Sequence, residues 1–241
     1  MKPEQLFSIV IPAYNEELNI KNLVEEIFIY LSKYNKYEII FVDDASTDNS
    51  YNLINEIKDN HKKKNIKITL IKNKVNSGQS FSLKKGIQSA AYDTVVTLDC
   101  DGQNNPKDIP ILLNEYFSKN NIFLIGGIRH NRKDSYLKII SSKIANSIRQ
   151  IILNDNCSDT GCSLKVFDKK TFMKFPFFNG IHRFLPALFK GYNKDTSFIN
   201  VDHRHRIHGI SKYGTFDRLF RGIRDLIKVR KIIKDFSKNS D

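Results

Sequence analysis

Four short apolar runs, each followed by a polar or helical segment, dominate the first hundred residues. The runs cover residues 6–12, 37–44, 66–72 and 93–99. The segment after the first run carries apolar residues at helical spacing, namely Leu18, Leu23, Ile27 and Leu31. Short strands that alternate with helices are typical of a parallel sheet with both faces covered. The pattern predicts an α/β domain, and such sheets bind ligands beyond the carboxyl ends of their strands.

The second half of the chain is less regular. Apolar runs predict further strands at 121–129, 162–167 and 196–204, and residues 134–153 have helical periodicity. Residues 215–236 predict an amphipathic basic helix whose apolar face consists of Phe216, Leu219, Phe220, Ile223 and Ile227. We therefore expect one domain over 1–214, followed over 215–241 by this helix and a short disordered tail.

The charge balance narrows the classes of partner. The 241 residues carry a formal net charge of +13, which favours anionic partners or reflects a general bias toward Lys, Asn and Ile. A nucleic-acid binder is disfavoured, because the sequence has no zinc spacing, no RNP-type aromatic strand and no recognisable helix-turn-helix. The three cysteines, Cys100, Cys157 and Cys162, form no paired framework and indicate a reducing compartment.

The sequence shows neither a signal peptide nor a run of 18 apolar residues. We therefore expect a cytoplasmic protein that meets a membrane only from its cytoplasmic face, as a peripheral protein. The C-terminal helix packs on the domain or lies on an anionic leaflet, and both readings remain open. The same holds for Phe184, Leu185, Leu188 and Phe189, which fill the core or reach the bilayer interface.

Two carboxylates follow the fourth apolar run. Asp99 and Asp101 are two residues apart, so in an extended segment they point to the same side. Such a pair is suited to Mg²⁺ or Mn²⁺, which prefer oxygen ligands and share them with substrate phosphates. The alternative is a solvated turn, which the position at the end of a predicted parallel strand disfavours.

Two further groups of polar residues have alternative interpretations. Asp43 and Asp44 end the second run, where they bind a nucleobase or ribose or cap the following helix. The segment 203–208 carries three histidines and two arginines, and an anion-facing loop is favoured over a metal site because arginine suits bidentate contact with phosphate.

Six segments occur in the order found in the family 2 glycosyltransferases. They are "SIVIPAYNEELNI", "FVDDASTDNS", "NSGQSFSLKKGI", "TLDCDGQNNP", "DTGCSLKVF" and "HRHRIHGISKYG". Each segment is weakly specific alone, but the ordered set is strongly specific. The chain most resembles the dolichol-phosphate mannosyltransferase and polyprenyl-phosphate glycosyltransferase branch, over about residues 6–233. It departs from the mannosyltransferase pattern at "HRFLPALFKG", which leaves the donor sugar open.

The resemblance implies an α/β fold of the GT-A type (Rossmann-like) with a mostly parallel central sheet. It implies a set of donor-binding residues, namely Pro12, Tyr14, Asn15, Glu16, Asp43, Asp44, Asn76, Gly78, Gln79, Asp99, Cys100 and Asp101. Asp99, Asp101 and Gln103 would hold Mg²⁺ or Mn²⁺. The residues expected to face acceptor phosphates are Arg129, Arg206, Ser211 and Lys212.

The function implied is an inverting transfer of one sugar from GDP-mannose or a UDP-hexose to a polyprenyl phosphate. The expected catalytic residues are Asp99, Asp101, Asp159 and Arg129. A lipid phosphate is already anionic at pH 7 and needs no base, whereas a glycan hydroxyl would need one, with Asp159 as the candidate. In the lipid-phosphate case Asp159 would orient the acceptor or the sugar. The expected partners are the nucleotide sugar, the lipid, a membrane surface and either a membrane protein or a second copy.

Overall fold

A computed structural model describes residues 4–61, 65–119, 121–130, 146–205 and 215–238. A seven-stranded sheet with strand order β3-β2-β1-β4-β6-β5-β7 forms its centre. The strands are β1 (Ser8–Ala13), β2 (Tyr37–Asp43), β3 (Ile66–Lys72), β4 (Thr94–Thr97), β5 (Ile122–His130), β6 (Lys165–Asp168) and β7 (Asp195–Asp202). All seven predicted strands are confirmed, with ends shifted by up to three residues.

Helices cover both faces of the sheet. They are α1 (Glu17–Tyr30), α2 (Ser50–Asn60), α3 (Gln79–Ser89), α4 (Ile109–Ser118), α5 (146–153), α6 (Lys169–Met173), α7 (Leu185–Gly191) and α8 (Thr215–Lys238). Short 3₁₀ turns precede α4 and α7. Helix α5 confirms the end of the helix predicted over 134–153, and residues 134–145 lie outside the described part of the chain.

The sheet is mixed. β6 runs antiparallel to both of its neighbours, β4 and β5, whereas every other pairing is parallel. This confirms a mostly parallel sheet. The reversal has a consequence for the site, because it sets Lys165 beside Thr97, two residues before Asp99.

Two apolar layers enclose the sheet. One packs α1 and α4 against the first face, and the other packs α3, α7 and α8 against the second. Phe184, Leu185, Leu188 and Phe189 are all buried in the second layer, which settles their role as core residues. The prediction for Leu18 was wrong. Its side chain is 61% exposed because it lies on the opposite side of α1 from the buried stripe of Ile20, Leu23 and Ile27.

Helix α8 packs on the domain through a different face from the one predicted. Leu226 and Val229 are buried, whereas Ile223 and Ile227 are exposed. The buried stripe is offset around the helix by one position, so the prediction was wrong for these two isoleucines. The side chains of Phe216, Leu219 and Phe220 lie outside the described part.

Candidate donor and acceptor site

A cleft of about 300 Å³ opens beyond the carboxyl ends of β1, β2 and β4. Parallel strands bring their ends to one edge of the sheet, so residues distant in sequence meet there. The residues lining the cleft are Pro12, Ala13, Tyr14, Glu16, Asp44, Asn76, Gly78, Gln79, Ser82, Asp99, Cys100 and Asp101. Ten of the twelve residues predicted to bind the donor lie there, and the lining also includes Ala13 and Ser82, which were not among the twelve.

The two predicted donor residues outside this lining have local partners. The Asn15 Oδ1 accepts a hydrogen bond from the Thr47 backbone at 2.8 Å, and its own backbone N–H donates to the Ser46 hydroxyl. Asp43 is fully buried, and its carboxylate accepts from the Ser46 backbone at 3.4 Å. In this structure both residues fix the 44–48 loop, and donor binding by either remains a prediction.

Asp44 organises the opposite wall of the cleft. Its carboxylate accepts hydrogen bonds from the Ser77 and Gly78 backbones at 2.9 and 2.8 Å, and from the Asn73 amide at 2.7 Å. Gly78 has a φ of +87°, which a residue with a side chain rarely adopts. Asp44 therefore holds the loop that leads into α3, and the buried Asn73 is a supporting residue that the sequence did not reveal.

Asp99 and Asp101 stand beside each other in the cleft. Burial, followed by the Asp101 carboxylate, raises the pKa of Asp99 to about 6, although Ser163, Lys165 and Arg129 oppose the rise. The Gln79 amide donates to Asp99 at 2.7 Å. Two like charges in a partly dehydrated cleft favour a bound cation, so these residues fit a divalent metal.

We predict that Asp99→Asn stabilises the metal-free protein at pH 7.5 by about 2–3 kcal/mol. The folded-state pKa lies above the unfolded value, so wild type loses stability as pH rises from about 4 through 6. The variant lacks this loss but keeps an oxygen to accept from Gln79. Thermal unfolding with chelator should show little difference between the proteins at pH 3.5 and a clear one at 7.5. Equal differences at both pH values would contradict the assignment.

The third predicted metal residue lies at the edge of the site. The Gln103 amide nitrogen is 3.4 Å from the His203 Nε2 and 3.5 Å from the Arg204 carbonyl oxygen. In the part of the chain that the structure describes, no three His, Cys, Asp or Glu side chains gather as a metal site. A cation held by Asp99 and Asp101 would therefore take further ligands from Gln103, diphosphate oxygens or water.

Arg204 has a structural role, contrary to the favoured reading of the 203–208 segment. Its guanidinium forms a two-oxygen contact with Glu26 of α1 at 2.7 and 2.8 Å and donates to Asn105 at 2.6 Å. Arg206, Ser211 and Lys212, predicted to face phosphates, lie outside the described residues, as does His208.

Arg129 and Asp159 form a side-on ion pair. The arginine Nε and Nη2 donate to the two carboxylate oxygens, each at 2.7 Å, and the Arg129 backbone donates to Asp159 at 3.2 Å. Both side chains are largely buried. Asp159, predicted as a candidate base, therefore has both oxygens engaged and fixes the plane of the guanidinium.

We predict that Gly161→Ala impairs catalysis more than stability. A Cβ at this position would lie 2.7 Å from the Arg129 Nη2, so the arginine must shift. A displacement of this size costs on the order of tenfold or more in rate where orientation matters. Steady-state kinetics should show the loss in kcat/KM for the acceptor, and an unchanged acceptor kcat/KM would contradict the proposed role of Arg129.

A buried scaffold supports this pair. Arg149 of α5 donates to the Asp155 carboxylate at 2.8 Å and to the Thr160 hydroxyl at 2.6 Å. Lys165 is 3% exposed and donates to the carbonyl oxygens of Cys162 and Thr160. Sequence reasoning missed all of these residues, because nothing in their spacing shows that the loop before β6 folds around two buried cations.

A second unpredicted contact joins α3 to residues 180–183. The Ser80 hydroxyl oxygen accepts from the Gly180 backbone at 2.8 Å and lies 2.7 Å from the His182 Nδ1. Burial, then Arg183 and Lys165, lowers the pKa of His182 to about 3. The imidazole is therefore neutral near pH 7. Through these contacts with Ser80, residues 180–183 pack against α3, the helix that carries Gln79.

The sheet order and the acidic cleft at its carboxyl edge define a GT-A-type glycosyltransferase fold. The sequence model of glycosyl transferase family 2 matches residues 8–175. The chain belongs to glycosyl transferase family 2.

Curated relatives show which members of the family the chain is similar to. The chain is 35% identical over 226 residues to the dodecaprenyl-phosphate galacturonate synthase of Rhizobium johnstonii, covering 92% of this chain and 65% of that one. It is 34% identical over 221 residues to the undecaprenyl-phosphate 4-deoxy-4-formamido-L-arabinose transferase of Pectobacterium atrosepticum, covering 91% and 66%. The chain thus spans just under two thirds of the length of these relatives.

Solved structures confirm the fold. Glucosyl-3-phosphoglycerate synthase from Mycobacterium tuberculosis, crystallised with Mn²⁺, UDP and glucosyl-3-phosphoglycerate, superposes with a TM-score of 0.67. The match covers 93% of this chain and 78% of that one at 17% identity. Within the described residues, no helix combines the length and the hydropathy needed to cross a bilayer.

Proposed function

We propose that this protein is an inverting glycosyltransferase that moves one sugar from a nucleotide-sugar donor to a polyprenyl phosphate. The observation that carries the choice of acceptor is the ion pair of Arg129 and Asp159. With both oxygens of Asp159 engaged, the site offers a guanidinium held in a fixed plane and no open carboxylate base at this position. Such a site suits an anionic phosphate rather than a hydroxyl. The names of the two relatives, which denote transfer to dodecaprenyl or undecaprenyl phosphate, support this acceptor.

The donor would occupy the cleft. The nucleoside would lie between the Pro12–Glu16 segment and the loop held by Asp44, with its diphosphate toward Asp99 and Asp101. A divalent cation, Mg²⁺ or Mn²⁺, supplies positive charge beside the leaving diphosphate when bound. The fit of the carboxylate pair and the Mn²⁺ and UDP in the related crystal structure support metal dependence. GDP-mannose and UDP-linked hexoses both remain candidate donors.

The proposed reaction is a single displacement. An acceptor phosphate oxygen forms a bond to the anomeric carbon as the bond from that carbon to the diphosphate oxygen breaks, with inversion. The electron pair leaves with the nucleoside diphosphate, and no proton has to be removed from the acceptor. Arg129, fixed by Asp159, would hold the incoming phosphate in line, and such positioning contributes a large part of the rate.

We place the protein on the cytoplasmic face of a membrane, where a lipid acceptor would be reached. Helix α8 supports contact with a membrane surface, although not a particular face, because its exposed side combines Ile223 and Ile227 with Arg224, Lys228 and Lys231. A surface of this kind binds anionic headgroups, at about 1 kcal/mol per basic residue near the leaflet. A membrane-protein partner or a second copy would be the alternative way to reach the lipid.

A donor panel tests the proposal. Radiolabelled GDP-mannose, UDP-glucose and UDP-linked amino sugars would each be incubated with a polyprenyl phosphate, with and without Mg²⁺ or Mn²⁺. We expect one donor to transfer label into the organic phase only when metal is present, and to raise the unfolding temperature. Absence of lipid-linked product with every donor and metal would contradict the proposal.

A further inference from the structure

A second cavity lies at the opposite edge of the sheet from the cleft. Its volume is about 310 Å³, and its described lining consists of Phe28, Leu31, Ser32, Tyr34, Asn35, Tyr37, Asn65 and Ile66. Tyr37 and Ile66 begin the parallel strands β2 and β3, whereas the cleft lies beyond the carboxyl ends of the strands. The seven residues of β2 span about 20 Å. The cavity is therefore separate from the candidate donor and acceptor site.

Two buried tyrosine hydroxyls in the cavity lining have no hydrogen-bond partner among the described residues. Tyr34 and Tyr37 are 8% and 1% exposed, and neither hydroxyl oxygen is bonded. Burial raises the pKa of both phenols, so both stay protonated near pH 7 and can donate. An unpaired buried donor costs free energy, and most such groups in folded proteins have a partner. The two hydroxyls therefore indicate that the cavity takes a molecule that hydrogen-bonds to them.

Packing holds both tyrosine rings in place. Phe7 stacks on Tyr37 with ring centroids 5.3 Å apart and meets Tyr34 edge-on at 5.2 Å. Phe7 is itself fully buried. Neither tyrosine ring can turn toward another partner without disturbing this cluster, so both hydroxyls keep their positions. Binding to a preformed arrangement of this kind spends little free energy on ordering side chains.

The lining favours an uncharged ligand that has both polar and apolar surfaces. None of the described lining residues carries a charge, and burying an unpaired charge there would be costly. Ser32, Asn35 and Asn65 are exposed, so they form a rim of hydroxyl and amide groups that can both donate and accept. The remaining lining residues form an apolar wall, namely Phe28, Leu31 and Ile66.

The size of the cavity separates a ligand from a bridging water. Its volume corresponds to about ten water molecules at roughly 30 Å³ each, whereas one or two waters would satisfy two hydroxyls. It also reaches the lower end of the size range of small-molecule sites, which begins at about 300 Å³.

We propose that this cavity binds an uncharged sugar of pyranose size, with Tyr34 and Tyr37 donating to its oxygens. A pyranose combines hydroxyls, each of which can donate and accept, with an apolar C–H surface. These features match the neutral rim and the apolar wall of the cavity. The inference goes beyond the proposed function and does not depend on it, because the cavity and the cleft lie at opposite edges of the sheet. The sugar is bound there and is not a reactant of the cleft.

Saturation-transfer NMR on the full chain tests the inference with the methyl glycosides of glucose, galactose and mannose. These probes are uncharged and carry no diphosphate. We expect at least one to bind, and Tyr34→Phe and Tyr37→Phe each to weaken that binding about tenfold, since each removes one donor and keeps the ring. Without ligand, Tyr37→Phe should unfold at the same temperature as wild type or at a higher one, because the unpaired hydroxyl is gone.

Two control variants locate the binding. Tyr192 is 9% exposed and packs in the second apolar layer, so Tyr192→Phe makes the same change outside the cavity and should leave glycoside affinity unchanged. Asp101→Ala alters the cleft and should also leave it unchanged, which separates this cavity from sugar binding in the cleft. Neither comparison requires turnover, so the outcome is independent of whether the enzyme transfers sugar to a polyprenyl phosphate.

Several results would overturn the inference. Binding of none of the glycosides would do so, as would binding that both tyrosine variants retain or that Asp101→Ala abolishes. Uridine and adenosine serve as flat uncharged probes, and binding of these nucleosides at the two tyrosines in place of the glycosides would show that the ligand class is wrong. A crystal soaked with the glycosides that held only water on both hydroxyls would show that solvent satisfies them.

Discussion

Replacing Asp101 by alanine should lower sugar transfer about a thousandfold while leaving the fold intact. Asp101 is one of two carboxylates that share the cleft, and its loss would remove a metal ligand beside the leaving diphosphate. Charge stabilisation at such a position contributes several kcal/mol to the transition state. Thermal stability without metal should be equal or higher, because the charge that raises the pKa of Asp99 is gone.

Asp93→Ala is the matched control for this experiment. Asp93 lies just before β4, where it forms an exposed ion pair with Lys170 at 2.7 Å. Exposed pairs contribute about 0–1 kcal/mol, so activity should stay within about twofold of wild type. Metal titrations of donor binding complete the test. Unchanged metal-dependent donor binding in both Asp99→Ala and Asp101→Ala would mean that the metal site lies elsewhere.

Arg129→Ala should lower kcat/KM for the acceptor by about a hundredfold or more. The guanidinium is the proposed contact for the acceptor phosphate, and it is held in one plane by Asp159. Arg129→Lys should rescue little, because an ammonium cannot make the side-on pair. The substitution to alanine also removes the guanidinium that faces the largely buried Asp159 carboxylate, which should destabilise the fold.

A double-mutant cycle tests whether Asp159 holds Arg129 in place or acts as a catalytic base. If Asp159 acts through Arg129, Asp159→Asn should cost less activity than Arg129→Ala, and adding it to Arg129→Ala should lower activity little further. It should also restore part of the lost stability. If Asp159 is a base, Asp159→Asn alone would abolish turnover. The activity losses caused by Asp159→Asn and Arg129→Ala would then multiply in the double mutant. The pH profile of kcat distinguishes the two roles. Only a catalytic base predicts that the acidic limb of the wild-type profile disappears in Asp159→Asn.

The residues of the candidate donor cleft were largely predictable from sequence, for a physical reason. Parallel strands place their carboxyl ends at one edge of the sheet. Short motifs after β1, β2 and β4 therefore lie close together, regardless of how long the segments that connect the strands are. Pro12, Asp44 and Asp101 could therefore be assigned to one cleft from their positions after apolar runs alone. The same reasoning gave the strand positions but not the antiparallel direction of β6, which depends on how a long connection returns to the sheet.

The geometry around Arg129 and Asp159, the candidate acceptor site, was less predictable, because it depends on long-range pairing of buried charges. The residues of "DTGCSLK" suggested a base for a hydroxyl acceptor or an orienting group for a lipid phosphate. The structure shows instead that Asp159 pairs with Arg129, thirty residues earlier. Arg149 and Lys165 have no periodic or motif signal that marks them as buried cations. The face of α8 was misassigned for a similar reason, since Ile223 and Leu226 are equally apolar and only tertiary packing selects Leu226.

A matched pair of acceptors tests the central claim most directly. A polyprenyl phosphate and the corresponding polyprenol would each be offered with the preferred radiolabelled donor and metal. The account predicts that the phosphate becomes glycosylated with inversion, that the alcohol does not, and that the rate with the phosphate shows no requirement for a deprotonated base between pH 6.5 and 8.5. Transfer to the alcohol at a comparable rate, or to neither acceptor, would contradict it.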